Sequence, residues 1–271
     1  MALTPRELER KFIGDDCTLK AKFQKGNELR DILIERCEKY ASWTLPYLFP
    51  DENYANEELQ YDYQSIGSQA VIHLANKIMM ALFQPTQPFF RFRLTNEQRA
   101  QIKEAVALSD PDIDNTLAEG EKETMAMFRK NNNRALLTDA IMLLIITGNV
   151  LVEAQPDKGI KLWSLHDYQV TRDLEGDVLD ITYRETKALV TLPEDIQVMA
   201  RAAGISEPDA EVTLYTGIKR VAGDKFIVWQ ELEDICFVHK RMGVHTKDSL
   251  PWIPLVWNKS RDRDYGTGHV E

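Results

Sequence analysis

The sequence predicts an α+β fold, with helices packed in the first half and a mostly antiparallel β region in the second. Three observations predict it. Up to Thr147 the apolar residues recur at steps of three and four. Beyond Gly148 they fall into short alternating runs, several of them separated by the turn sequences Asp157-Lys158-Gly159, Glu175-Gly176-Asp177 and Ala222-Gly223-Asp224. A single helical stretch interrupts those runs. The chain therefore divides into a mainly helical part, residues 1–147, a β-rich part, residues 148–258, and a short last segment, residues 259–271.

In Asn27 to Leu45, the residues Leu29, Ile32, Leu33, Cys37 and Tyr40 form an amphipathic stripe on which only Arg36 is out of character. Pro46 is expected to set the helix end, because proline disfavours helical geometry in the residue before it. An apolar turn, Tyr47-Leu48-Phe49-Pro50, and an acidic loop from Asp51 to Glu58 follow. A second helix is expected from Ser65 to Phe83, with Ile66, Ala70, Leu74, Ile78 and Leu82 on one four-step row, Gly67 allowing close helix packing, and Pro85 ending it. Phe89 to Leu94 alternates apolar with basic residues and reads as a strand whose Arg91 and Arg93 share one wet face.

Helices are expected from Glu97 to Leu108, Pro111 to Lys130 and Arg134 to Thr147, with Ser109-Asp110-Pro111 as a cap and Asn131-Asn132-Asn133 as a hinge. Strands follow from Val150 to Ala154, Ile160 to Trp163, Tyr168 to Arg172, Val178 to Leu189, Glu211 to Arg220, Lys225 to Leu232 and Trp252 to Trp257. The interrupting helix runs from Pro193 to Ala203 and is closed by Gly204. The most apolar stretch, Ala135 to Val152, carries Asp139 and is split by Gly148-Asn149, so it reads as core helix and core strand and not as a membrane span.

The 271 residues carry 33 Lys and Arg against 43 Asp and Glu, a net charge of −10. That balance argues against gripping nucleic acid over the whole surface, which needs cations on phosphates, while leaving room for a local basic patch. Cys17, Cys37 and Cys236 are odd in number and widely spaced, which suits a reducing, intracellular setting and neither a disulfide framework nor a zinc knuckle. The first ten residues are charged and lack the apolar run of a signal peptide.

No common phosphate, dinucleotide, zinc or serine-nucleophile motif is present, and Gly266-Thr267-Gly268 lacks a third glycine. Asp110, Asp112, Asp114 and Glu121 have calcium-loop spacing, but Asn115 stands where the loop needs glycine, and Pro111 in an acidic first turn suits a helix N-terminus. No two of His73, His166, His239, His245 and His269 lie at ligand spacing on one element. Glu194-Asp195 and the pair Glu231 and Glu233 read as solvated faces. No catalytic, cofactor or metal site is therefore assigned. Arg91 and Arg93, sharing one strand face, suit phosphate or, in so acidic a chain, acidic groups of a neighbouring subunit, and the self-neutralising run Arg261-Asp262-Arg263-Asp264 suits an interface or a helix approach.

Five stretches in shared order resemble the head-to-tail connector, or portal, proteins of short-tailed bacteriophages. They are Arg36 with Thr44-Leu45-Pro46-Tyr47-Leu48-Phe49-Pro50; Ser65-Ile66-Gly67 through Leu74-Ala75-Asn76-Lys77 and Ala81-Leu82-Phe83 to Pro85 and Pro88-Phe89-Phe90; and Thr147-Gly148-Asn149-Val150-Leu151. The last two are Tyr168-Gln169-Val170-Thr171-Arg172-Asp173 with Gly176-Asp177-Val178, and Pro254-Leu255-Val256-Trp257-Asn258 with Asp264-Tyr265-Gly266 and Glu271. Thr267 departs from the pattern, which would place a basic residue there.

The resemblance implies a non-enzymatic ring of about twelve subunits at one capsid vertex, with a channel for double-stranded DNA passing without sequence-specific binding. Its implied partners are the major capsid and scaffolding proteins, the packaging terminase and tail adaptor proteins, with no membrane. Its implied location is the virion's head-tail junction after assembly in the host cytoplasm. The helical and β-rich parts would be the portal wing and residues 259–271 the start of a stem helix, the chain ending before clip, tunnel and crown. Asp264, Tyr265 and Gly266 would shape the approach to that stem. Two rival readings are a metal-dependent nucleic-acid-processing enzyme using the acidic clusters and a monomeric capsid-associated adaptor.

Overall fold

The apolar periodicities become seven helices and nine strands in a computed structural model that describes residues 18–51, 65–84, 88–106, 109–155, 158–205, 207, 209–221, 224–233, 235–237, 243–259 and 263–271. The helices are α1 (Leu19–Lys25), α2 (Asn27–Ser42), α3 (Ile66–Leu82), α4 (Asn96–Val106), α5 (Asp110–Lys130), α6 (Asn133–Thr147) and α7 (Glu194–Ala202). The strands are β1 (Asn149–Gln155), β2 (Gly159–Trp163), β3 (Tyr168–Arg172), β4 (Val178–Ala188), β5 (Glu211–Val221), β6 (Lys225–Leu232), β7 (Cys236–Phe237), β8 (Gly243–Thr246) and β9 (Trp252–Val256). The fold is α+β and its sheets are antiparallel, as the sequence predicts.

A three-stranded sheet has the order β2-β1-β9, and a six-stranded sheet the order β3-β4-β5-β6-β7, with β8 also on β6. β9 closes on β1 across a hundred residues of sequence, pairing Val150 with Leu255 and Val152 with Ile253. The main core lies between α2, α3, α6 and both sheets. Every residue from Ala140 to Val152 is buried, so α6 is a central helix, apolar around its circumference because it meets neighbours on all sides. A second cluster packs Ile196 and Ala200 of α7 on Val212, Leu214 and Leu232, and a third packs Leu19 and Phe23 of α1 on Tyr215, Ile227 and Trp229.

Several expectations are corrected. The first long helix ends at Ser42, three residues before the predicted Leu45, because the Thr44 hydroxyl donates to the Tyr40 carbonyl at 2.8 Å and closes the last turn. Pro46 instead sits in the turn after it, where Leu48 N–H donates to Leu45 at 3.1 Å and Phe49 is driven into the core against the His166 ring. In α3 the four-step row that marks the helix is buried only at its middle, where Leu74 and Ile78 pack against the core, and a neighbouring row lies deeper. Val71, Ala75 and Met79 face the core, while Ile66 and Leu82 are 72% and 58% exposed. Both rows are apolar, and the small and flexible side chains of the deeper one admit the closest approach to α6.

Residues 89–94 form no strand. Phe89 stacks edge-on against Phe83 and Phe128, Phe90 against Phe89 and Phe92, and the Phe92 N–H donates to Glu121 at 2.8 Å, so aromatic contacts and α5 take the place of a sheet neighbour. The short elements α1, β7 and β8 have no counterpart in the sequence reading. Each is too short for periodicity to stand out and forms on β4, β5 or β6.

Glu231 is also corrected: it lies on no solvated face but is fully buried. Its carboxylate accepts the Leu19 N–H at 2.8 Å, at the first turn of α1, and the Trp229 indole N–H at 2.9 Å. Glu231→Ala is expected to destabilise the protein by about 2–4 kcal/mol, and Glu231→Gln by less, because the amide oxygen still accepts one of the two donors. Urea unfolding of both variants checks the ranking.

Glu185 of β4 sits between Lys161 and Lys187, the latter at 2.7 Å. Burial pushes its carboxyl upward, but the hydrogen bonds and charges of both lysines outweigh this and hold it below the ordinary glutamate value. Such a group stabilises the native state above its unfolded pKa and loses that contribution as pH falls through the lower native one. Wild type is therefore expected to lose more of its urea midpoint than Glu185→Gln between pH 6 and pH 3.

Candidate functional site

The residues at the end of the described chain are tied to the rest of the fold by a dense set of hydrogen bonds. β3 is the edge strand of the six-stranded sheet, so alternate N–H groups on its outer side have no ladder partner. Two side chains from the last segment supply acceptors there: the Val170 N–H donates to the Tyr265 hydroxyl at 3.2 Å and the Arg172 N–H to the Asp264 carboxylate at 2.6 Å. A register shift between Thr171 and Arg172 aims the second donor.

Arg172 then gathers three segments. Its Nε donates to the Asp264 carbonyl at 3.1 Å, Nη1 to Gly176 at 3.1 Å in the β3–β4 turn, and Nη2 to Pro254 of β9 at 2.9 Å. The planar fork of a guanidinium suits such a junction, which a lysine ammonium does not reproduce.

Asn149, at the start of β1, holds the next residue. Its Nδ2 donates to the Gly266 carbonyl at 2.9 Å and its Oδ1 accepts the Gly266 N–H at 2.8 Å, so a side-chain amide reads both backbone groups of one residue, as a neighbouring strand would. The pair is buried, with Asn149 only 1% exposed. Gly266 must be glycine because a Cβ there would collide with Val256 and the Asn258 carbonyl. Farther on, His269 N–H donates to Ile145 of α6 at 2.7 Å, and Glu271 pairs with Arg36 of α2.

Burial pushes the Tyr265 hydroxyl up to about 12, so it keeps its proton while accepting from Val170. Burial likewise pushes the nearby Cys37 thiol up to about 12, where it is unreactive and donates weakly to Thr147 at 3.7 Å. Asp264 and Tyr265 therefore tie the last segment to β3 and Gly266 ties it to β1, while His269 and Val270 reach α6 and Arg172 links the site to β9, and together these contacts form a clasp. The described residues of 259–271 contain no helix.

The other predicted positions lie elsewhere. Gly67 is in the first turn of α3, where a Cβ would fall inside the contact distance of the Trp43 carbonyl at the end of α2. Gly67→Leu is expected to lower stability by about 2–3 kcal/mol through overpacking, read as a shift in the urea midpoint. Pro85 lies outside the described residues, as do Cys17, His239, Arg261 and Asp262. Arg91 and Arg93 are exposed beside α5, far in sequence from the clasp.

The calcium-like stretch is a helix start, as its proline and acidic turn predict. The Asp112 carboxylate accepts from the Ser109 N–H at 3.3 Å, Asp110 from Lys103 at 2.6 Å and Asp114 from Arg99 at 2.5 Å. The Lys103 hydrogen bond holds the Asp110 carboxyl below its ordinary value. Among the described residues no three His, Cys, Asp or Glu side chains converge as metal ligands, and no helix is long and apolar enough to cross a membrane.

Sequence reasoning assigned no role to Asn149 or Arg172, although both lie in stretches that carry the resemblance. For Asn149 the available signal is a polar residue inside an otherwise apolar run; Arg172 follows Gln169 and Thr171 in a mixed strand and carries no such signal.

Comparison with known proteins agrees with the family resemblance. The chain is 30% identical over 249 residues to the portal protein of Escherichia phage T7, covering 87% of this chain and 45% of that protein. It is 29% identical over 276 residues to the portal protein of Enterobacteria phage T3, covering 97% and 50%. It is 33% identical over 255 residues to that of Pseudomonas phage phiKMV, covering 90% and 49%. The chain thus spans about half the length of these curated relatives. Residues 17–271 match the family described as bacteriophage head to tail connecting protein, and with that match spanning both sheets, the helices and the clasp, the chain belongs to this family.

Proposed function

We propose that this chain is part of a portal subunit that assembles into a ring of about twelve at one capsid vertex, where the ring is the channel for DNA packaging and ejection. The family match from residue 17 to residue 271 is the observation that carries this reading. In it the ring is a platform for the packaging terminase outside and tail adaptor proteins below, held among capsid and scaffolding proteins in the virion. Residues 1–147 and 148–258 are the helical and β-rich parts of the wing, and residues 259–271 lead toward the stem.

Physical features support this reading. A net charge of −10 disfavours a general grip on phosphates, which suits a protein that duplex DNA passes without being held. The clasp suits a part that carries load, because force applied to the last segment is shared by α6, β1, β3 and β9. The test is light scattering and negative-stain electron microscopy of the full-length protein. A ring of about twelve with a hole of roughly 20 Å or more is expected; a stable monomer or compact dimer at all concentrations would overturn the reading.

A further inference from the structure

The segment after α3 and helix α5 carry two pairs of uncompensated charge. Arg91 and Arg93 are exposed, and neither makes a hydrogen bond or ion pair among the described residues. Glu119 and Glu123 of α5 are likewise exposed and unmatched among the described residues. On the same helices Asp110 and Asp114 are paired with Lys103 and Arg99, and Glu121 is engaged by Phe92 N–H, while Lys122, between the two glutamates in sequence, is exposed.

The two pairs sit on opposite sides of one rigid unit. Phe92 is fixed to α5 through its N–H bond to Glu121, and a Cβ on Gly120 would lie 3.6 Å from its ring, so Arg91 and Arg93 flank the Glu121 side of the helix. Glu119 and Glu123 are each two residues from Glu121, which places them about 160° around the helix from it. Their spacings also match. Four residues along a helix rise about 6 Å, and two residues along a non-helical chain advance about 6–7 Å.

We infer that Arg91 and Arg93 of one copy of this chain dock on Glu119 and Glu123 of the next. A head-to-tail contact needs two complementary patches facing opposite ways on the same subunit, and this unit has them. The aromatic cluster of Phe83, Phe89, Phe90 and Phe128 holds the arginine segment in place before contact, so little ordering is left for association to supply. The inference rests on the ring reading and adds the surface through which neighbours meet.

The experiment compares full-length wild type, Arg91→Glu/Arg93→Glu, Glu119→Lys/Glu123→Lys and the chain carrying all four changes, by mass photometry across subunit concentration at low and moderate salt. Each reversal alone is expected to raise the concentration for half assembly on the order of ten-fold, more at low salt, and the four together to restore it. Unchanged circular dichroism and melting temperature establish that the variants fold; where a reversal lowers either, Arg91→Gln/Arg93→Gln takes its place. Normal assembly of both reversals, or no rescue in the fourfold variant, overturns the inference and leaves the ring intact. Normal assembly with weaker retention of duplex DNA by Arg91→Glu/Arg93→Glu overturns it in favour of a phosphate contact. A wild type that never leaves the monomer overturns the ring reading itself, and this inference with it.

Discussion

Asn149→Leu is expected to destabilise the protein by about 3–5 kcal/mol, since each buried polar group left without a partner costs about 1–3 kcal/mol and Gly266 would lose partners for both its N–H and its carbonyl. The side chain is nearly the same size, so the loss reads hydrogen bonding more than packing. Asn149→Asp retains the acceptor for the Gly266 N–H but removes the donor and buries a charge, and is expected to cost at least as much. Chemical denaturation measures both. A loss below about 1 kcal/mol for Asn149→Leu would mean that water replaces the amide and that the clasp is held elsewhere.

Gly148→Ala is expected to act on the same clasp from the backbone side. Gly148 ends α6 with φ +76°, and a Cβ there would strike the backbone of Thr267 and Gly268. Left-handed geometry alone costs a residue other than glycine about 1–2 kcal/mol, and the collision adds displacement of the last segment, for an expected total above about 3 kcal/mol. Gly204 provides the control, because its φ is +100° but an added Cβ meets nothing within 4 Å. Gly204→Ala should therefore cost only the conformational part. Hydrogen exchange at residues 264–271 separates the two, with faster exchange expected in Gly148→Ala alone. Equal effects of the two substitutions would show that conformation, not collision, governs the site.

These two predictions concern residues whose importance the sequence conceals. Asn149 and Gly266 are 117 positions apart, and Arg172 and Asp264 are 92 apart. No periodicity links such pairs. The motif order singled out Asp264, Tyr265 and Gly266 without showing that their partners are an amide at the start of β1 and the outer edge of β3. Glu231 is a similar case. Alternation along β6 allows it a wet face, and only the docking of α1 converts that face into an interior where a carboxylate accepts the helix's first donors.

By itself the sequence determined the α+β class, the change of period at Gly148, most strands to within a residue or two, and the family. The class, the change of period and the strands follow from local patterns, since side chains repeat every 3.6 residues in a helix and every two in a strand and turn residues mark the boundaries, while the family follows from the resemblance of five motifs in shared order. Only the tertiary structure decided which of the two apolar rows of α3 lies deeper, that residues 89–94 lie on an aromatic cluster instead of in a sheet, and that the last segment closes over a sheet edge. Each of those outcomes depends on a partner far along the chain, and a local pattern carries no record of what will be packed against it.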